Sequence, residues 1–162
     1  MTTTSAHREN PLTQNVIPSI RRCDREDYEI LVGIWERSVR ATHHFLDEDD
    51  IAEIRSALIP EYFPAVDIYA ISDDDRPVGF IGLNADMIEM LFIDDDCCGR
   101  GHGSRLIDFA KRKGATRVDV NEQNPSALKF YQSKGFRITG RDATDDAGRP
   151  FPILHLAIAL DS

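Results

Sequence analysis

The sequence predicts one α/β domain built on a mixed sheet, with its elements in the order β-α-α-β-β-β-α-β-α-β-β. Three observations lead there. Apolar residues recur at helical spacing in some segments and in short, near-continuous runs in others. A hydrophobic run, a glycine loop, a helix and a second hydrophobic run follow one another over 87–121, which calls for two parallel strands joined by a right-handed crossover. The 162 residues suit a single domain, which at this size buries roughly 70% of the unfolded chain's surface.

Residues 1–18 are polar, contain two prolines and show no periodicity, so they read as a flexible tail before a domain over 19–162. SIRRC (19–23) is a short strand. Asp24 then caps a helix, with Asp27 three residues on completing a weak capping box. Ile30, Leu31, Ile34, Trp35, Ser38 and Val39 give that helix one apolar face from about 25 to 41. Acids at 47–50 open a second helix, carrying Ile51, Ile54 and Leu58, that Pro60 should stop. Asp67–Ser72 and Val78–Asn84 flank the turn DDDRP as a hairpin. Met87–Ile93 is apolar along nearly its whole length, as in a strand covered on both faces. A helix with Leu106, Ile107, Phe109 and Ala110 follows the loop CCGRGHG and ends at Gly114. TRVDVN (116–121) is a strand. Asn124-Pro125 starts a helix that Gly135 ends. FRITGRD and FPILHLAIAL are strands around DDAGRP.

Charge narrows the function. A net charge of −9 argues against a nucleic-acid surface, which needs clustered Lys and Arg. The exception is local: from Cys98 to Arg117, six basic residues stand against the single acid Asp108. Such an island attracts a small polyanion, or is simply a solvated basic helix face. Three cysteines, two of them adjacent, provide neither a disulfide framework nor metal-ligand spacing, so no metal is expected. No apolar run approaches membrane-span length and the N-terminus lacks a secretory signal's apolar centre, which leaves a cytoplasmic protein with no membrane partner as the expectation.

Gly99, Gly101 and Gly103 sit between a hydrophobic strand and a helix start. Glycines let backbone N–H groups turn toward a ligand, and the unpaired N–H groups of a helix start favour a phosphate. The plainer alternative is a tight turn that needs only one or two glycines. A Walker loop is excluded, because Ser104-Arg105 stands where Lys followed by Ser or Thr is required. A dinucleotide fingerprint is a closer rival, with Asp119 near the place of a ribose-binding acid. That fold, however, begins at its glycine loop and continues through parallel units, whereas this loop is central.

LFIDDDCCGRGHGSRLIDFA followed by VNEQNPSALKFYQSKGF resembles the two acetyl-CoA motifs of the GNAT N-acetyltransferases, in order and in spacing. The first is a strand and an Arg/Gln-x-x-Gly-x-Gly/Ala loop; the second is an Asn-x-x-Ala-x-x-Phe-Tyr-x-x-x-Gly-Phe helix. The resemblance covers about 20–160. It implies the GNAT fold, acetyl-CoA as co-substrate, and direct transfer of acetyl to a primary amine of a small molecule or peptide. A non-catalytic acetyl-CoA-binding regulatory module is the alternative. One departure supports it: Cys98 stands where the family usually has Arg or Gln. A charge-assisted contact is worth roughly 1.5–3 kcal/mol, and Arg100 or Arg105 is positioned to compensate in part.

By this resemblance the cofactor lies against Leu91, Phe92, Ile93, Cys98, Gly99, Arg100, Gly101, His102, Gly103, Ser104, Asn121, Asn124, Ala127, Phe130 and Tyr131. A backbone N–H at Leu91 or Phe92, splayed by a bulge, polarises the thioester carbonyl. Ile93 pairs with the pantetheine arm, and Tyr131 donates to the leaving thiolate. Asn124 has two uses, as helix cap and as hydrogen-bond partner of the cofactor.

For the base, Glu89 lies two and four residues from Leu91 and Ile93, so regular alternation puts it on their face. A carboxylate on an apolar strand has a raised pKa, which suits a base. Its plain reading is an end-of-strand residue paired with an arginine. His43 is the second candidate, ahead of His44, in the segment that borders the acceptor site in this family. His155 reads as a half-buried packing residue, and Cys97 and Cys98 as ordinary thiols rather than acyl carriers. The acidic surface favours cationic acceptors such as polyamines, basic peptides or lysine side chains. The apolar face of the helix at 25–41 leaves a homodimer open.

Overall fold

Most local signals in the chain are met in the computed structural model, which describes residues 19–158. The tail assigned to 1–18 and the last residues of the final strand lie outside the described residues. Asp24 accepts from the Glu26 N–H while Asp27 accepts from the Asp24 N–H, the reciprocal box that opens a short 3₁₀ turn and then α1 (Tyr28–Thr42). Asp47 and Asp50 form the same box ahead of α2 (Glu48–Ala57).

Pro60 does not stop the second helix as expected. The chain widens into a π turn, Leu58–Tyr62, in which the Phe63 N–H reaches back five residues to the Leu58 carbonyl. Proline has no N–H for an ordinary helical bond, and the wider turn makes use of its neighbours instead.

Among the described residues, seven strands form one sheet: β1 (Ser19–Arg22), β2 (Asp67–Asp73), β3 (Arg76–Asn84), β4 (Met87–Ile93), β5 (Arg117–Asn121), β6 (Phe136–Asp142) and β7 (Ile153–Ile158). Their spatial order is β1-β2-β3-β4-β5-β7-β6. α3 (His102–Arg112) links β4 to β5, and α4 (Pro125–Ser133) links β5 to β6. This is the order and the mixed α/β class read from the sequence. Strand alternation feeds two cores. Ile68, Ala70 and Phe80 face α1 and α2, where they meet Leu31, Ile34, Trp35 and Phe63. Ile81, Ile88, Val118 and Leu156 face the other way, against Leu106, Ile107 and Ala110 of α3.

The sheet has one weak seam. β4 and β5 are parallel, as the crossover requires, but pair only through Met87–Arg117 and Ile88–Val118. Beyond those pairs the strands part. At the same level β3 and β4 slip register: Gly82 pairs with Met90 and Leu83 with Ile88, leaving Glu89 as the extra residue of a β-bulge.

Candidate active site

The parting of β4 and β5 opens beside the glycine loop. Gly99 and Gly101 both have a φ of +84°, the left-handed region that other residues enter at a cost of about 1–2 kcal/mol. Two such turns within three residues bring the chain to the first N–H groups of α3, and a cavity of about 450 Å³ lies against them. Leu91, Phe92, Ile93, Cys98, Gly99 and Gly101 line it from the strand and loop. His102, Gly103, Ser104, Asn124, Ala127, Phe130 and Tyr131 complete it from the two helices. Nearly all the residues expected around the cofactor are therefore brought together.

Two of them are placed otherwise. Arg100 is not part of the cavity's lining, its guanidinium 3.9 Å from the Asp73 carboxylate. Asn121 lines a smaller, adjoining space between β4 and β5. Gly103 sits close against Phe130: a Cβ there would stand 3.2 Å from its ring. Arg105 folds back onto the Arg100 carbonyl at 3.1 Å.

A phosphate-bearing ligand fits this end of the cavity on two counts. The loop backbone is cradle-shaped, and His102, only 3% exposed, has both ring nitrogens buried without a hydrogen-bond partner. Its nearest anion is Asp73, 4.0 Å away, and burial lowers its pKa. A buried polar group left unpaired in the free chain is one that a ligand can satisfy.

The smaller space, about 110 Å³, lies between the parted strands. Tyr131, Asn124, Ala127 and His43 line both cavities, so the two meet at these side chains. Tyr131 is buried edge-on to Phe130 and Phe136, and burial alone pushes its phenol well above the usual tyrosine range. It keeps its proton across the working pH range. Asn124 caps α4, its Oδ1 accepting from the Ala127 N–H at 3.2 Å, which leaves its amide NH₂ unspent on the cap.

Glu89 corrects a simple alternation. The bulge adds one residue, so Glu89 drops out of phase with Leu91 and Ile93 and stands exposed at the seam instead of sharing their face. It lines the small space with Asp119. Desolvation raises its pKa, with Asp119 and Asp146 adding to the effect, while Asn84 and Arg117 oppose it.

His43 ends α1 at the junction of the cavities, its ring near Phe45 and Phe92. The Thr42 hydroxyl spends its one proton on the Ser38 carbonyl, so the His43 Nδ1–H must donate to Thr42 Oγ1, and Nε2 keeps a free lone pair. Burial lowers the His43 pKa to about 4, which makes it a neutral hydrogen-bond acceptor and a weak base. His44 is exposed and lines neither cavity.

His155 is not a packing residue. It bridges two carboxylates, Nδ1 to Asp119 at 2.7 Å and Nε2 to Asp142 at 2.8 Å. Both pairings raise its pKa. Desolvation comes first among the causes that raise the Cys97 and Cys98 pKa values, so an acyl-cysteine route has no ready thiolate.

Residues 40–152 match the family model described as an acetyltransferase (GNAT) domain. The chain belongs to the GNAT acetyltransferases. Among relatives, it is 43% identical over 141 residues to peptidyl-lysine N-acetyltransferase YjaB of Salmonella typhimurium, covering 85% of this chain and 96% of that protein. YjaB of Escherichia coli is 41% identical over 144 residues, covering 88% and 97%. The solution structure of apo-form E. coli YjaB superposes with a TM-score of 0.82 at 39% identity, covering 90% of this chain and 99% of that one. PaiA N-acetyltransferase from Thermoplasma acidophilum, solved in complex with coenzyme A, shares the fold with a TM-score of 0.65 at 21% identity, covering 85% and 97%.

Within this GNAT site, sequence reasoning missed the buried Asp94. It follows β4 directly, at 2% exposure, and is clamped by Arg37 of α1 through two bonds of 2.8 Å. The pair ties α1 to the start of the glycine loop. Nothing in the local pattern DDD marks which carboxylate turns inward. Ser38, Thr42 and Ser126 also line the large cavity unannounced, since small hydroxyl residues on helices carry no signature.

Proposed function

We propose that this chain acetylates the ε-amine of a lysine in a peptide or protein, drawing on acetyl-CoA, by direct transfer. The observation that supports this best is the meeting of the large cavity with an acid-lined gap at Tyr131, Asn124 and His43. Coenzyme A is a long, phosphate-bearing molecule, and the cavity runs from the phosphate-suited α3 start to that junction. Acetyl-CoA supplies an acetyl group activated as a thioester. Leu91, Ile93, Gly99, Gly101, His102, Gly103 and Ser104 bind it, and Asn124, Ala127 and Phe130 close over it from α4.

Glu89 takes a proton at its carboxylate from the incoming ammonium, for which its raised pKa suits it. Glu89 and Asp119 favour a cationic acceptor in the gap. His43 Nε2 accepts a hydrogen bond from the amine and orients it. Tyr131 holds a proton at Oη where the cavities join, ready for the departing sulfur. The relatives named peptidyl-lysine N-acetyltransferase favour lysine over a small amine as acceptor. Three free cysteines agree with a reducing, cytoplasmic setting. No helix among the described residues is long and apolar enough to cross a membrane.

The test has two stages. Melting is followed with no ligand, then with acetyl-CoA, desulfo-CoA and NAD. A ligand at 100 times its Kd adds about 2.7 kcal/mol and shifts melting by several degrees. Both CoA compounds should shift it, and NAD should not. Lysine peptides with acetyl-CoA are then followed by mass spectrometry for a gain of one acetyl group. A shift with NAD alone, or binding without transfer to any amine, overturns the proposal.

A further inference from the structure

Glu89 also closes one end of a third cavity, about 310 Å³, which the transfer chemistry leaves unused. Its walls are apolar: Trp35 of α1, Ile54 of α2, Leu58 and Tyr62 of the π turn, Val66, and Phe92 of β4. Its polar end is Glu89 and Asn84. The size falls within the range of small-ligand pockets. The cavity is continuous with the site already described, since Glu89, Met90 and Phe92 line both this space and the gap between β4 and β5.

Two backbone irregularities shape it. The bulge turns Glu89 to the seam, where it borders both spaces. The π turn widens the chain after α2, and such turns recur at functional sites. Its wall residues Leu58 and Tyr62 mark the two ends of that turn.

We propose that this cavity is a specificity pocket for the acceptor, taking a large apolar side chain (Leu, Met or Phe) next to the target lysine in the peptide. This rests on the lysine-acetylating function proposed above. Charge and shape both select the occupant. The carboxylate end matches an ammonium, and the apolar body beyond it matches an uncharged side chain. The lysine's own methylenes cannot be that occupant, because they must run past Glu89 into the strand gap. A neighbouring side chain leaves the peptide backbone at the polar end, beside Glu89 and Asn84.

The test uses capped tripeptides in which the residue before or after lysine is Leu, Phe, Ser or Asp, with kcat/KM measured for each. A Leu or Phe neighbour on one side should raise kcat/KM by about tenfold or more over Ser, mainly through KM. Ala65, exposed at the cavity, is then changed to Trp to fill it; the preference for Leu over Ser should collapse. Ile54→Trp fills the cavity from α2 and repeats the test independently. Equal rates for all four neighbours, or a preference untouched in both filled variants, overturns the pocket while leaving lysine acetylation standing. If no peptide is acetylated but a simple apolar amine such as phenethylamine is, the pocket and the lysine function both fall.

Discussion

The two sides of the β4–β5 seam are built on different principles. The side proposed to hold the cofactor comes mainly from one stretch, 91–104, and from α4, with Ser38, Thr42 and His43 at its edge, and left-handed glycines shape its loop. The side proposed for the acceptor is assembled from α1, the π turn, a bulge and β5, and is lined mainly by side chains. Backbone recognition restricts residue type strictly and locally, so it writes a pattern into the sequence. Side-chain recognition from distant segments does not. A site made this way can keep its cofactor while its acceptor changes through the residues outside the six, His43, Leu91, Phe92, Asn124, Ala127 and Tyr131, that line both cavities.

Tyr131 is shared by both halves and gives the largest expected effect. Tyr131→Phe removes only the hydroxyl, leaving the ring in its aromatic cluster. Turnover should fall about 10²-fold, the scale of a lost proton donor. Acetyl-CoA affinity should be unchanged, since the large cavity keeps its shape. Steady-state kinetics beside a direct binding measurement checks both. Equal kcat in variant and parent removes Tyr131 from the chemistry and moves the division between halves elsewhere.

Arg37 joins the halves mechanically. Arg37→Ala strands Asp94 as a buried carboxylate. Breaking a fully buried pair costs about 3–5 kcal/mol; with Arg37 itself 56% exposed, about 2 kcal/mol is expected. The urea midpoint reports it. If the halves are coupled through this clamp, the variant also loses acetyl-CoA affinity, although Arg37 lines neither cavity. Lost stability with unchanged affinity would show that the glycine loop holds its shape alone.

This asymmetry explains what was legible. The element order, the Asp24–Asp27 capping box, the acid-led start of α2, the Asn124 cap and the parallel crossover follow from short-range rules, and each is met. Glu89 shows where such rules stop. A bulge inserts one residue without changing composition, so alternation through Met87–Ile93 assigned it to the wrong face. His155 shows the same limit: its partners Asp119 and Asp142 lie 36 and 13 residues away. Arg100 looked like a phosphate ligand on spacing, but Asp73 at the end of β2 lies 3.9 Å from it, a tertiary neighbour no local pattern announces.

Glu89→Gln tests the acceptor side by itself. Turnover should fall about tenfold at pH 7, at the modest end for a lost base because the carboxylate is exposed and water can take part of its work. The parent's low-pH limb, set by a carboxylate titrating above its ordinary range, should vanish in the variant. Acetyl-CoA affinity should hold. A variant that keeps both its rate and its low-pH limb assigns the proton to solvent.

The smallest effect separates two histidines, His43 at the seam and His155 behind Asp119 of β5, with opposite signs. Burial lowers the His43 pKa to about 4, so the stability tied to its neutral form is lost as pH falls from about 6.5 toward 4. The Asp119 and Asp142 carboxylates raise the His155 pKa, so its contribution is fully present below about 6.5 and is lost as pH rises through the raised folded value. The His155 side chain is 36% exposed, which screens the pairs and keeps the contribution below about 1 kcal/mol. In urea titrations at pH 6 and pH 9, His155→Gln should lower the midpoint at pH 6 and leave it near the parent's at pH 9. An equal loss at both values would assign His155 a packing role after all. Since Asp119 lines the acceptor gap, a loss confined to pH 6 would also mean that its charge there is least offset at alkaline pH, where lysine amines shed their protons.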